Sequence, residues 1–312
     1  GVHRATVYHW LARWRLEGEA AYEPKSRRPH TNPTATPDDV VQAVLAERDR
    51  LSASGHDAGP ETISAYLARA GITISRATTA RILTRNGKVI PQPKKKPKSA
   101  YTRFAAEQPN ETWQSDFTHI ALAGGTDTEV ITWLDDHSRM ALHVSVHTRI
   151  TVGIVLATFR ATTIEHGVPA SVLTDNGMVY TVKHASKGVR GGRNAFETEL
   201  AHLGIVQKNG RGNHPQTQGK VERFQQTLKT WITRQGPPPA TQADLQALIN
   251  IFVTEYNNDR PHRALQRRTP RAAYQARPKA GPPGEPPHRT HARVRRDKVS
   301  EGKITLRYAS QL

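Results

Sequence analysis

The spacing of apolar positions changes along the chain and separates helical ends from an α/β middle. Period-two alternation predicts three strands, at residues 112–120, 129–134 and 140–147, with a hairpin turn at 124–127. Helices and short strands then follow in turn: helix 151–166, strand 170–174, helix 195–203, strand 205–208, a helix around Glu222, and helices 245–256 and 270–275. This order predicts a mixed α/β sheet, with ligands expected at the strand ends.

The first segment is predicted to be a turn followed by a helix that ends at Gly18. Its apolar residues recur at helical spacing and form one stripe: Val7, Trp10, Leu11 and Trp14. A single helix cannot cover two tryptophans. We therefore interpret residues 1–30 as a partial helix-turn-helix whose earlier helices are missing, and the initial Gly1 in place of Met agrees with a fragment.

Residues 37–90 predict a second helix-turn-helix or winged-helix unit, with helices from 37 to about 50, 61–70 and 76–86. Ser75 is expected to cap the third helix, and Gly87 to end it. A plain three-helix packing unit is the alternative. The triplets Arg4-Ala-Thr6 and Arg76-Ala-Thr78 indicate a degenerate repeat. The residues predicted to contact DNA from the two helical units are Arg4, Arg13, Arg76, Thr78, Thr79 and Arg81.

Two further segments lack periodicity and are predicted to be linkers. Residues 91–107 are rich in proline and carry Lys94, Lys95 and Lys96, which indicates an extended basic tether along a phosphate backbone. Residues 276–312 begin as a Pro/Gly-rich linker and end in what we interpret as a truncated small β module, starting near residue 294.

The charge distribution indicates a polyanionic partner. The chain has a formal net charge of +18, and residues 1–30, 85–103 and 260–298 carry +3, +7 and +10, so the remainder is close to neutral. Nucleic acid is the partner that best fits basic arms around a neutral middle, although solvated linkers are the simpler alternative. There is no cysteine, which excludes disulfides and thiolate metal sites, and no apolar run is long enough to span a bilayer.

Three carboxylates come from three separate predicted elements. Asp116 lies on the first strand, Asp175 follows the fourth, and Glu222 lies one turn into a helix that turns Val221 and Phe224 toward a core. Carboxylates suit Mg²⁺, and two such ions can clamp the attacking and leaving oxygens of a phosphoryl transfer. The alternatives are that Asp116 is a polar strand residue and that Asp175 forms a turn before Asn-Gly.

Five motifs, in order along the chain, resemble the integrase core of insertion-sequence transposases. They are Trp113-Gln-Ser-Asp-Phe-Thr118, Leu134-Asp-Asp-His-Ser-Arg139, Thr174-Asp-Asn-Gly177, His214-Pro-Gln-Thr-Gln-Gly-Lys-Val-Glu-Arg-Phe224 and Tyr256-Asn-Asn-Asp-Arg-Pro-His-Arg-Ala-Leu265. The resemblance extends over most of residues 1–275. It implies an α/β chain with a ribonuclease-H-like mixed-sheet core at 108–275, preceded by helix-turn-helix units and followed by the truncated β module.

The same resemblance implies a chemistry. Asp116, Asp175 and Glu222 would be the catalytic and metal-binding residues, holding two Mg²⁺ or Mn²⁺ ions. Water would free a 3′-OH at the element end, and that hydroxyl would attack target DNA without a covalent enzyme intermediate. The implied partners are double-stranded DNA, both element ends and target, and a second copy of the chain, giving at least a dimer on DNA. No membrane partner is expected, and the implied location is bacterial cytoplasm, at the nucleoid.

Several assignments stay open at this stage. The 46 residues between Asp175 and Glu222 exceed the retroviral interval, and the excess is assigned to the basic segment 183–193. Lys220 and Arg223 are predicted DNA contacts, although Lys220 could simply be solvated. The fifteen histidines show no ligand spacing, so His214 and His262 are expected to contact DNA or form loops.

The remaining motif residues, and the function as a whole, have alternative interpretations. Asp135 and Asp136 are expected to be structural, and residues 257–265 either contact DNA or pack below the site. The rival functions are a DNA-binding regulator or remnant that no longer cuts, and a nuclease that degrades RNA in hybrids.

Overall fold

The computed structural model describes residues 1–24, 35–90, 105–182, 192–209 and 218–284. Four sequence-based predictions therefore lie outside the described residues: the lysines at 94–96, most of the 183–193 segment, the loop that contains His214, and the β module after residue 294. The chain forms two compact units, Gly1–Gln42 and a second that begins at Ala43. None of the described helices is long and apolar enough to cross a bilayer.

The first unit contains helix α1, Arg4–Glu17, followed by a 3-10 turn at Gly18–Tyr22. The His3 ring accepts a hydrogen bond from the Ala5 amide at 3.3 Å, and Gly18 ends the helix with a φ of +59°. These bounds confirm the predicted helix. Its apolar stripe is exposed, and Trp10 and Trp14 retain 43% and 49% of their accessible surface.

A three-helix unit follows: α2, Asp38–Ala53, α3, Pro60–Arg69, and α4, Arg76–Arg85. The Ser75 hydroxyl accepts from the Thr78 amide at 3.1 Å, so the predicted cap of α4 is present. Apolar side chains from all three helices are buried: Val44, Leu51, Ile63, Leu67, Ile82 and Leu83. The short α3–α4 turn passes through Gly71 at a φ of +83°, a conformation that glycine adopts without strain.

The central sheet has five strands in the order β3-β2-β1-β4-β5. Their bounds are β1 Trp113–Ala121, β2 Asp127–Asp135, β3 Ala141–His147, β4 Ser171–Thr174 and β5 Val206–Asn209. Strands β1, β2 and β3 pair antiparallel, whereas β4 runs parallel to β1 and β5 runs parallel to β4. This is the predicted mixed sheet, and its strand order is that of a ribonuclease-H-like α/β fold.

Five helices pack around this sheet and complete two apolar cores. They are α5 Val152–His166, α6 Ala195–His202, α7 Gly219–Ile232, α8 Gln242–Asn258 and α9 Pro270–Gln275. One core joins β1 and β2 to α5 and α6 through Trp113, Trp133, Phe159 and Phe196. The other joins the sheet to α7 and α8, and its side chains include Phe224, Trp231, Phe252 and Tyr256. Burial of the apolar residues of α7 in this second core fixes which edge of the helix is polar and exposed.

Within the second compact unit, residues 55–69 contact α7, α8 and the loop after α8. Arg69 donates to the Asp259 carbonyl at 2.8 Å, and Arg267 pairs with Glu61 at 2.9 Å. At Gly55 the two backbones come close, because a Cβ there would lie 2.9 Å from Trp231 Cα. A side chain at this position would push the three-helix unit away from α7.

We predict that Gly55→Ala destabilises the chain more than Gly71→Ala. Both glycines have a positive φ, so both variants carry backbone strain of about 1–2 kcal/mol. Only Gly55 also meets a neighbour, since nothing lies within 4 Å of a Cβ at Gly71. Urea unfolding of the two variants measures the difference. Equal free energies of unfolding would contradict the close approach to Trp231.

Candidate functional site

Asp116 lies in the middle of β1, paired with Thr132 of β2, and is half-buried. Burial raises the pKa of its carboxyl to about 6, and the charges of Asp175 and Glu222 add to the rise. The Phe117 backbone amide and the Gln225 side-chain amide oppose it. Asp116 is therefore a carboxyl held in a site that resists its ionisation.

The register of the sheet explains why Asp175 lies beside Asp116. Parallel pairing joins Trp113 to Val172 and Gln114 to Leu173, and the same register carried two residues further sets Asp116 level with Asp175. Strand β4 ends at Thr174, so the chain turns away at that point. Asp175 therefore follows the last residue of its strand while Asp116 is still within β1.

The Asp175 carboxylate is oriented by the turn that follows it. The Gly177 amide donates to Asp175 Oδ1 at 2.9 Å, and a Cβ at Gly177 would lie 3.0 Å from the same oxygen. The side-chain amide of Asn209, at the end of β5, donates to the Asp175 carbonyl at 3.4 Å. The turn-forming alternative for Asp175 is thus correct in its geometry. It does not compete with the site, because the same carboxylate acts on Asp116.

Glu222 occupies the first turn of α7 and is exposed, whereas Val221 and Phe224 are buried. This confirms the predicted orientation of the helix. The charge of Glu222 contributes to the raised pKa of Asp116, so α7 brings its carboxylate toward the same edge of the sheet. Three separate elements thus supply three carboxylates whose charges act together.

The side of the site that faces the core is apolar and closed. The Tyr180 hydroxyl lies 3.0 Å from Ser115 Oγ, and burial raises the pKa of Tyr180. Its ring packs against Phe196 with the centroids 6.1 Å apart. The low polarity beneath Asp116 strengthens every electrostatic interaction at the site.

The donor set fits a hard divalent cation by its chemistry. Among the residues that the structure describes, no three His, Cys, Asp or Glu side chains are close enough together to hold a metal ion. Asp175 and Glu222 nevertheless both raise the pKa of Asp116, and a divalent cation relieves that mutual repulsion. Carboxylate oxygens are the ligands that Mg²⁺ prefers. The three side chains would have to draw together around the ion.

One predicted DNA contact on α4 is wrong. Thr79 is fully buried, and its hydroxyl bonds to Ser64 Oγ at 3.0 Å and to the Ser75 carbonyl at 3.1 Å. It belongs to the apolar face of α4 together with Ile82 and Leu83, at the i, i+3, i+4 spacing of a buried stripe. The same spacing was visible in the sequence and indicated burial.

The other α4 positions lie on the outer face. Arg76 and Arg81 are exposed, and Arg81 donates to Thr78 Oγ1 at 3.1 Å. Arg76 lies 3.4 Å from Glu61 Oε2. These side chains, with Arg85 one turn further on, give α4 a basic surface.

Of the predicted DNA contacts on the other helices, some are exposed and others are engaged in hydrogen bonds and ion pairs within the chain. On α1, Arg4 is exposed, but Arg13 is held within its own unit by Glu17 at 3.0 Å and by the Glu23 carbonyl at 2.7 Å. Arg223 is exposed on α7 and donates to Gln226 at 3.0 Å. These positions leave Arg4 and Arg223 accessible to a phosphate.

Lys220 is not the solvated lysine of the simpler alternative, because it is part-buried and paired, and its contact with DNA stays a prediction. Its ammonium pairs with both oxygens of the Asp136 carboxylate, which is almost fully buried. Burial lowers the pKa of Lys220, Arg139 lowers it further, and Asp136 opposes the change. The side chain is thus committed to an internal ion pair.

The loop after α8 makes the structural contacts that one of its two interpretations expected, and a contact of this loop with DNA stays a prediction. His262 accepts from the Ala264 amide at 3.2 Å, and burial lowers its pKa to about 3, so it is a neutral loop former. Asn257 is buried and exchanges two hydrogen bonds with the Ala141 backbone, which ties α8 to β3. Asp135 accepts from the Asn110 and Ser138 amides, as expected of a structural strand end.

Two residues near the carboxylates were not singled out from sequence. Gln225 is buried, and its side-chain amide is oriented toward Asp116, whose pKa it lowers. Gln114 is buried two residues before Asp116. Gln114 lies on a buried strand and Gln225 on the buried face of α7. A polar residue at such an inward-facing position is the sequence signal that could have found both, since buried amides need partners.

The raised pKa of Asp116 predicts a pH-dependent gain in stability for Asp116→Asn. The pKa of Asp116 in the folded chain lies above the ordinary carboxyl value, so folding favours its protonated form. The free energy of unfolding therefore falls as the pH rises through about 6 and the carboxyl becomes charged. In metal-free buffer the variant should gain on the order of 2 kcal/mol at pH 7.5 and little at pH 4. Thermal unfolding at both values measures this. An equal effect at the two pH values would refute the burial of Asp116.

Family models and curated relatives agree on the class of protein. Two models of an integrase core domain match residues 106–215 and 203–270, and a homeodomain-like domain matches residues 6–83. An insertion element IS407 uncharacterized 31.7 kDa protein of Burkholderia multivorans is 26% identical over 163 residues, which cover 50% of this chain and 52% of that protein. An insertion element IS476 uncharacterized 39.2 kDa protein of Xanthomonas euvesicatoria is 32% identical over 173 residues, covering 54% and 45%.

The chain thus spans about half the length of the curated relatives it matches. Among solved structures, the simian T-cell lymphotropic virus intasome in complex with PP2A regulatory subunit B56 gamma is similar with a TM-score of 0.47 and 21% identity, covering 73% of this chain and 76% of that one. A likeness of this size says nothing about chemistry. The integrase-core matches over residues 106–270 and the insertion-element relatives give the identity: this chain belongs to the integrase-core family of insertion-sequence transposases.

Proposed function

We propose that this protein is a DNA transposase that performs metal-dependent 3′-end processing and strand transfer of a mobile element. The observation that carries the proposal is the register that sets Asp116 on β1 level with Asp175 after β4, with Glu222 in the first turn of α7 as a third carboxylate. Asp116 is affected by the charges of both Asp175 and Glu222, which a purely structural set of acids has no reason to share. Family membership supplies the reaction class, polynucleotidyl transfer.

Asp116, Asp175 and Glu222 are the residues that would hold two Mg²⁺ or Mn²⁺ ions. When bound, such ions supply electrostatic stabilisation of the phosphodiester undergoing displacement. Asp116 must lose its proton to serve as a ligand, and its raised pKa couples that loss to cation binding. The Gly177 amide orients Asp175, and the position of Glu222 on an exposed helix edge leaves room for DNA.

The reaction divides into hydrolysis and transfer. Water would cleave the phosphodiester at the element end, freeing a 3′-OH and leaving the phosphate on the 5′ end of the flanking DNA. That 3′-OH would then attack a phosphodiester of target DNA, forming the new bond and displacing a target 3′-OH. The closed apolar side beneath Ser115 and Tyr180 directs substrate to the outer face of the site. Joining two element ends requires two active sites, so the active form is at least a dimer on DNA.

Helix α4 is the element of this chain that we propose to read double-stranded DNA. Its outer face carries Arg76, Arg81 and Arg85, and a helix of this kind suits the major groove. The contacts of Arg69 and Arg267 hold the three-helix unit against the core. Bound DNA would thereby be kept at a set distance from the carboxylates.

Asp175→Asn is expected to retain DNA binding and to lose strand transfer by about a hundredfold or more, because the amide cannot serve as an anionic ligand. The assay incubates the chain and Mg²⁺ with a labelled pool of random-sequence duplexes and a supercoiled plasmid, and joined products are counted by sequencing. Asp127→Asn is the matched control, since Asp127 pairs with His119 at the far end of β1.

The assay distinguishes the transposase from a DNA-binding regulator and from a nuclease. Metal-dependent joining by the original chain and its loss in Asp175→Asn support the transposase. Undiminished joining by Asp175→Asn removes the active-site assignment. Binding without joining by the original chain overturns the proposal in favour of a DNA-binding regulator, and shortening of an RNA–DNA hybrid without joining identifies a nuclease.

Arg81→Ala is expected to weaken binding to duplex DNA by about tenfold and to reduce the slope of log affinity against log salt by about one, since one phosphate contact is lost. Arg50→Ala removes the same charge from α2, where Arg50 pairs with Glu47 at 2.6 Å, and should change affinity little. Fluorescence anisotropy over a salt series measures both. An equal loss in the two variants would show that α4 is not the binding surface.

A further inference from the structure

An amide in the first turn of α7 donates its hydrogen bond to a side chain of the sheet and not to the N-cap residue of the helix. A helix leaves its first amides without partners in the helix itself, and a side chain at the N-cap normally accepts from one of them. The N-cap residue of α7 is Gln218, and its side chain makes no such bond. The acceptor comes from the sheet, because the Val221 amide donates to Gln114 Oε1 at 3.3 Å. Gln114 therefore caps a helix that begins 105 residues later.

The other half of the Gln114 amide is also engaged. Its nitrogen donates to Asp136 Oδ1 at 2.6 Å, and the Ala106 amide donates to Asp136 Oδ2 at 2.7 Å. The same carboxylate receives the ammonium of Lys220. Gln114 and Asp136 are 1% and 5% exposed, so these bonds are made where water competes little. Breaking one partner leaves another polar group buried and unsatisfied.

These contacts fix the two residues that precede Glu222. Lys220 is held through its side chain and Val221 through its backbone, both by groups on β1 and just beyond β2. The apolar face of α7 sets which side of the helix meets the sheet, but apolar contacts are non-directional and tolerate sliding along the helix axis. Directional hydrogen bonds at the first turn remove that freedom.

Gln114 also links the two ends of the site. It lies two residues before Asp116 on β1, so both side chains project from the same face of the strand. Val221 is adjacent to Glu222 on α7. A single buried side chain thus connects the strand of one carboxylate to the helix of another.

We propose that Gln114, Asp136 and Lys220 are positioning residues that set the place of Glu222 relative to Asp116 and Asp175. They act through the first turn of α7 and do not touch the reacting atoms. The catalytic consequence rests on the proposed function, whereas the anchoring of α7 does not. Residues that orient metal ligands typically contribute about 10-fold to 100-fold to metal affinity or activity.

The test uses Gln114→Met and Lys220→Met, which keep side-chain length and remove the polar contacts. In the metal-free chain, both should speed hydrogen exchange at the Val221 and Glu222 amides by about tenfold or more, with amides of α8 unchanged. Both should raise the Mg²⁺ concentration for half-maximal joining by about tenfold or more, with DNA affinity unchanged. Lys220→Arg should restore most of the original values, because it keeps the charge that pairs with Asp136.

Gln226→Met is the matched control, because Gln226 lies on the exposed edge of the same helix and its side chain accepts a bond from Arg223, well away from Gln114 and Asp136. It should leave exchange and the Mg²⁺ requirement unchanged. The inference is overturned if Gln114→Met and Lys220→Met both match the original chain in exchange and in Mg²⁺ requirement. If Gln114→Met does not fold, Lys220→Met decides alone.

Failure of the proposed function gives a different result. In that case no variant joins DNA, the original chain included, while the exchange of the Val221 amide still separates Gln114→Met from Gln226→Met. Asp175→Asn distinguishes the proposed function from the anchoring of α7 in the opposite way. It should lose strand transfer, while hydrogen exchange at the Val221 amide stays as slow as in the original chain.

Discussion

The position of β1 in the middle of the sheet is the constraint on which the rest of the site depends. It pairs with β2 over its whole length and with β4 over only two residues, so its second half has a free edge where β4 has ended. That offset places Asp116 level with the turn containing Asp175. Helix α7 packs on one face of the sheet, and the charge of its Glu222 acts on Asp116.

Burying the Asp116 carboxyl is unfavourable for folding once it is charged, and its raised pKa, to which the charges of Asp175 and Glu222 add, expresses that cost. The surroundings offset it. Aromatic side chains such as Trp133, Phe159 and Phe196 close one core, and Phe224 with Tyr256 closes the other. Burial of this kind contributes roughly 1.5–3 kcal/mol per large side chain, enough to hold a repulsive site in place. An unfavourable local arrangement supported by a well-packed core is common at functional sites.

Local patterns were sufficient to predict the helices and strands named here. Alternation identified β1, β2 and β3, and the caps at Ser75 and Gly18 fell where short-range chemistry requires them. The orientation of Glu222 also followed from helical spacing. Thr79 shows that residue type alone is a poor guide to exposure. A small polar side chain can be buried on an apolar face when a neighbouring hydroxyl forms a hydrogen bond with it, as Ser64 does here. The spacing was the better guide there.

Residue order along the chain was therefore enough to say which elements form and which face of each turns inward, since periodicity, caps and turns involve neighbours a few residues apart. Partners distant in sequence were beyond its reach. From the sequence alone, Lys220 is an ordinary surface lysine and Gln114 an ordinary strand residue. In the folded chain Lys220 pairs with Asp136, and Gln114 accepts a hydrogen bond from the Val221 amide. Which distant groups meet depends on strand order and helix packing, because a hydrogen bond needs its two atoms within about 3 Å.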